Sequence, residues 1–187
     1  MYQGTNPSAL RSREWITQAL LALLEEERYA RITVKDICQR AQLSRQTFYQ
    51  IFASKDEVLE YRFGALFAQF RAKCGNFSGI SLRALACGFF AFFAEHQDFA
   101  RVLIANHMSY LFEREFERYL PEIDLFRQIN ETEAHPDYSV CYVAGALSQM
   151  LIHWYEKDMD LPVEQMGALT EDIISGRIFA AGGNRTG

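Results

Sequence analysis

The sequence predicts an all-α protein, and three observations carry that expectation. Apolar residues recur at helical spacing along nearly the whole chain, with no run of strand-like alternation. Helix-capping patterns punctuate the spacing at Thr33, Ser44 and Ser54. Of 187 residues, 49% are apolar and 14% aromatic, with only four prolines, so a substantial core is expected and disorder is excluded.

The elements follow in order. Residues 8–28 place Trp15, Ile16, Ala19, Leu20, Leu23 and Leu24 on one helical face. Thr33 opens "TVKD", a cap with an acid three residues on, before a short stripe of Val34, Ile37, Cys38 and Ala41. Ser44 caps a second short helix, and "SKDE" at Ser54 starts a third with Glu57 completing a capping box. That helix is expected to run to about Lys73, with Val58, Leu59, Phe63, Leu66, Phe67 and Phe70 inward. "CGNFSG" at 74–79 breaks it, and further helices are expected near 81–95, 98–107, 109–120, 122–131, 137–157 and 163–180. Pro121, Pro136 and Pro162 fall at starts or joints, where proline is tolerated. The tail "AAGGNRTG" is expected to fray.

Charge is unevenly distributed. Residues 1–55 hold eight Lys/Arg against five Asp/Glu, whereas 56–187 hold eleven against nineteen. Within 28–55, Arg28, Arg31, Lys35, Arg40, Arg45 and Lys55 face only Asp36, which suits a polyanion at one end of an acidic body. Cys38, Cys74, Cys87 and Cys141 lie far apart without a C-x-x-C pair, as expected of reduced thiols in a cytoplasmic protein holding no metal. The N-terminal residues lack the apolar run of a signal peptide.

The segment 44–52 joins these threads. On a helix, Phe48, Ile51 and Phe52 share one face, while Arg45, Gln46, Tyr49 and Gln50 share the other. Two short helices joined by the turn "AQLS" match helix-turn-helix geometry, whose second helix enters the major groove. Arg can bond guanine O6 and N7, and Gln adenine N6 and N7. Thr33, Thr47, Tyr49 and Lys55 are types that reach phosphate oxygens. Periodicity and capping alone also fit an α-hairpin with a polar outer face.

"ITVKDICQRAQLSRQTFYQIFASKDEVL" (32–59) closely resembles the DNA-binding signature of TetR-family transcriptional regulators, through Thr33, Ile37, Ala41, Ser44, Phe48, Tyr49, Phe52, Ser54, Lys55, Asp56 and Leu59. The resemblance implies a three-helix DNA-binding domain over 1–54 with its motif at about 33–52. A C-terminal bundle for effector binding and dimerisation over 55–187 is implied after it. It implies phosphate contacts from Thr33, Tyr49 and Lys55, and base contacts from Arg45, Gln46 and Thr47. It further implies a homodimer through the helices at about 137–157 and 163–180, acting as a repressor on a palindromic double-stranded DNA operator. Two residues depart from the family pattern: Gln42 replaces the turn glycine, at a cost of about 1 kcal/mol if φ is positive there, and Ile51 replaces a usual His or Tyr.

The larger domain carries an uncharged run, "VCYVAGALSQMLIHWY" (140–155), too short and too polar at Ser148, Gln149 and His153 to span a membrane. Its apolar circumference calls for cover on more than one side, which again fits a dimer. Phe89, Phe93, Met108, Phe112, Met150, His153 and Trp154 are candidate walls for a small apolar or aromatic effector, although such stripes also make ordinary core. An enzyme is not expected: the sequence has no Glu-x-x-His pair, Walker loop or G-x-S-x-G elbow, and no cofactor is implied. The alternative within the fold is a co-activator or regulator controlled by a partner protein, with no small-molecule pocket.

Overall fold

The computed structural model describes residues 7–74, 79–124, 127 and 135–177, and among these there are helices and no strands. In chain order they are α1 (Pro7–Glu26), α2 (Val34–Arg40), α3 (Arg45–Ile51), α4 (Lys55–Cys74), α5 (Leu82–Glu95), α6 (Gln97–Ala105), α7 (Tyr110–Tyr119), a 3-10 turn (Leu120–Glu122), α8 (Pro136–Glu156) and α9 (Val163–Ile174). The expected helix at 122–131 lies largely outside the described residues, as do most of the break at 74–79 and the C-terminal tail. The last helix ends at Ile174, where Gly176 takes φ +72° and turns the chain after the Ser175 cap, and positions 178–180 of the expected span lie outside the described residues.

The chain forms two compact units. The first comprises residues up to Ala68 together with Val102–His107; the second comprises Gln69–Arg101 and the chain from Met108 onward. Both α4 and α6 thus contribute residues to each unit.

In the first unit, α1 buries Ile16, Ala19, Leu20 and Leu24 against Ile37 and Cys38 of α2 and Phe48 and Ile51 of α3. Phe52, Val58, Leu59, Phe63, Leu66 and Leu103 complete this core. Helices of seven residues are marginal in water on their own, so α2 and α3 depend on packing and caps. Thr33 and Asp36 form a full capping box on α2, and Ser44 Oγ accepts the Thr47 N–H at 3.0 Å on α3.

Between them, Gln42 sits at φ +54°, with its N–H on the Gln39 carbonyl and the Leu43 N–H on the Cys38 carbonyl. This is a Schellman ending, in which glycine is the usual residue at that position. The expected cost of Gln42 is therefore incurred.

In the second unit, α5 packs on α9 and α7 on α8. The α5–α9 approach requires Gly167: a Cβ there would meet the Cys87 Sγ and lie 3.1 Å from the Cys87 nitrogen and 3.2 Å from the Arg83 carbonyl oxygen. Tyr155 Oη donates to the Phe93 carbonyl at 2.6 Å, tying α8 to α5, and burial pushes its phenol well above the ordinary tyrosine value.

Two substitutions test these placements. Gln42→Gly should raise the unfolding free energy by up to about 1 kcal/mol with an unchanged m-value. Gly167→Ala should lower it by about 1–3 kcal/mol through overpacking, read by the same denaturant titration.

Candidate nucleic-acid interface

The side of α3 that faces away from the core carries the predicted readers. Phe48 and Ile51 are buried, while Arg45, Gln46, Tyr49 and Gln50 are exposed, Tyr49 by 52%. The Tyr49 ring stands edge-on to Phe48 at 5.4 Å, which steadies its hydroxyl at the surface. Thr33 is exposed at the start of α2, where its hydroxyl meets Asp36 Oδ2 at 2.6 Å. Those contacts hold the Asp36 carboxyl below its ordinary value, first through the Thr33 side chain and then through the Thr33 backbone.

Two of the expected contact residues also have partners within the protein. Thr47 is half-buried, and its hydroxyl shares a 2.9 Å hydrogen bond with Ser44, so it supports the start of α3. Lys55 points inward: its ammonium donates to the Tyr29 carbonyl at 2.6 Å and the Ile32 carbonyl at 2.8 Å and lies 4.0 Å from the Tyr29 ring centroid. Burial lowers its pKa from the ordinary lysine value, with Asp56 opposing. Only one of its three N–H groups is left by these two bonds for a phosphate.

The basic cluster is also thinner than the sequence implies. Arg40 forms a forked pair with Glu26, at 3.0 and 2.6 Å, and Arg31 lies 3.6 Å from Glu27. Arg28, Lys35 and Arg45 are exposed and in no ion pair among the described residues. The Arg40–Glu26 pairing spans fourteen positions and has no signal in helical periodicity.

In the second unit, most of the predicted wall residues are brought together, as core. Phe89 lies 4.9 Å from Phe93 and 5.3 Å from Phe116, Phe93 lies 6.1 Å from Phe112, and Phe90 meets Trp154 at 5.4 Å. Met108, Phe112 and Trp154 are buried. Met150 is half-buried, with its sulfur 3.9 Å from the Thr170 hydroxyl. His153 does not join this cluster: its side chain is 66% exposed and 3.9 Å from Glu156. It shares the outer side of α8 with Tyr142 and Gln149, opposite the buried Leu147, Leu151 and Trp154.

A family model described as bacterial regulatory proteins of the tetR family matches residues 16–61, and one described as a transcriptional regulator C-terminal region matches 83–176. The uncharacterized HTH-type transcriptional regulator YxbF of Bacillus subtilis (strain 168) is 40% identical over 52 residues, 27% of this chain and 14% of that protein. The HTH-type dhaKLM operon transcriptional activator DhaS of Lactococcus lactis subsp. lactis (strain IL1403) is 39% identical over 59 residues, 29% of this chain and 32% of that protein. The match thus spans at most a third of either relative's length.

Among solved structures, a TetR transcriptional regulator from Streptococcus agalactiae 2603V has a TM-score of 0.64 at 20% identity, covering 89% of this chain and 95% of that one. The fatty acid degradation regulator FadR from Bacillus halodurans has a TM-score of 0.57 at 15% identity, covering 99% and 100%. At such identities the likeness shows the fold.

The Lys55 geometry yields a direct test. Lys55→Ala should destabilise the protein by about 1–3 kcal/mol, because two carbonyls lose a charged donor. Unfolding at the wild-type denaturant midpoint would mean those bonds do not hold the loop.

Proposed function

Because the chain belongs to the TetR family of DNA-binding transcriptional regulators, we propose that it binds a two-fold symmetric operator as a homodimer and represses by occupying it. Arg45, Gln46 and Gln50 face base edges in the major groove, and Thr33, Tyr49 and the remaining N–H of Lys55 face phosphate. Thr47 holds the helix start beneath them. The observation that carries this reading is the division of α3, whose apolar side is buried while its polar side stays open.

The homodimer forms through α8 and α9. Tyr138 and Tyr142 are exposed by 74% and 63%, with Cys141, Gln149 and His153 also exposed on α8 and Leu169 on α9. Large aromatic groups left open on a helix uncharged from 140 to 155 favour an isologous interface. Half-sites one helical turn, about 34–36 Å, or a multiple apart then match the two reading heads. A small apolar or planar effector inserted among Phe89, Phe93, Met108, Phe112, Met150 and Trp154 alters that separation and releases the operator.

The mutual packing of those rings supports a second reading, in which a partner protein controls the regulator and no small molecule enters. Recovery of an operator beside genes for a transporter or catabolic enzyme favours the effector. Co-purification of a defined protein that changes operator affinity favours the partner.

Selection of genomic fragments by the purified protein at moderate salt should recover a near-palindromic site, and recovery of unrelated sequences alone would sink the proposal. Arg45→Ala should then relax preference at one base position by about 1–3 kcal/mol while leaving stability unchanged. Tyr142→Arg should shift the sedimenting species from dimer to monomer. A dimer of unchanged affinity would place the interface elsewhere.

A further inference from the structure

Asn106 lies just beyond α6 and uses its whole carboxamide on backbone. Its Oδ1 accepts the Tyr29 N–H at 2.9 Å, and its Nδ2 donates to the Leu24 carbonyl at 3.1 Å and the Val102 carbonyl at 2.9 Å. An N–H aimed at one end of the amide and two carbonyls at the other leave a single consistent orientation. The next residue, His107, turns away at φ +57° and ends the helix at this contact.

Tyr29 extends the connection. Its carbonyl and ring hold the Lys55 ammonium, and its hydroxyl donates to Asp56 Oδ1 at 2.6 Å. The same ammonium holds the carbonyl of Ile32, the residue before Thr33. One side chain therefore fixes the end of α1 and the 27–33 loop. Through that loop it also fixes the first turn of α4 and the approach to α2.

We propose that Asn106 is a positioning residue for DNA recognition, through which α6 sets the loop that presents Thr33 and carries α2 and α3. The inference rests on the reading of α2–α3 as the DNA interface. Val102–His107 belong to the first unit together with Leu24 and Tyr29, so the position of this end of α6 reaches both residues through the amide, beside the apolar contact of buried Leu103. Asn106→Ala frees the loop without touching any residue that faces DNA.

The test uses the operator fragment recovered by selection, together with versions carrying one base pair more or fewer between the half-sites. Binding is measured where circular dichroism shows wild type and variant fully folded. Wild type should lose about tenfold or more in affinity on the altered spacings, the size of a typical mismatch penalty, and Asn106→Ala should lose less than about threefold from its own best site. A purely structural role would scale every operator alike, so equal spacing penalties in the two proteins would overturn the proposal.

Asn106→Asp keeps the acceptor for Tyr29 and loses both donors. It should give an intermediate penalty, and it serves as the test if the alanine variant does not fold. Failure of wild-type protein to select any operator would instead remove the underlying interface reading. That result is distinguishable because it precedes any comparison of variants.

Discussion

The burial of Phe48 is the constraint on which the rest of the DNA-binding unit depends. A seven-residue helix gains too few internal hydrogen bonds to persist in water, so α3 exists where its aromatic anchor finds a prepared site. Phe48 is fully buried, which is worth about 1.5–3 kcal/mol of transfer free energy. Ile51 and Phe52 on the same side stop the helix from rolling about its axis. The polar residues opposite inherit a fixed direction without needing contacts of their own. That freedom lets Arg45, Gln46 and Gln50 stay open.

The same economy governs charge around the unit. Arg40 pairs with Glu26 at the end of α1 and Arg31 with Glu27 just beyond it, and Lys55 is folded onto carbonyls of the following loop. Exposed pairs of this kind contribute little stability, but they remove competing cations from the surface. Arg28, Lys35 and Arg45 stay exposed and out of any ion pair among the described residues, beside the one N–H that Lys55 keeps. A surface with few free cations offers a polyanion shape and hydrogen bonds more than bulk attraction.

Much of this was legible in the sequence because the relevant forces act over three or four residues. The caps at Thr33 and Ser44, the anchoring of Phe48, and the helical character of 140–155 all follow from i, i+3 and i+4 relations. The strain at Gln42 was legible only through the family pattern, which places a glycine in that turn. The inward turn of Lys55 and the clasp at Asn106 were not, because most of their partners are backbone groups 23 to 82 positions away. Any side chain can address a backbone carbonyl, so no residue type in the partner segment marks the contact. The outward placement of His153 was not legible for a different reason. An uncharged helix gives a weak contrast between its sides, and only packing decides which side turns outward.

The close approach at Gly167 has a chemical consequence. The Cys87 thiol occupies the volume that a side chain at 167 would take, so the two helices meet there through sulfur and glycine with no room for a Cβ. The thiol is nonetheless half-buried, so its chemistry and its packing are coupled. Bulk added to the sulfur on the Gly167 side presses α5 and α9 apart, as a larger residue at 167 would.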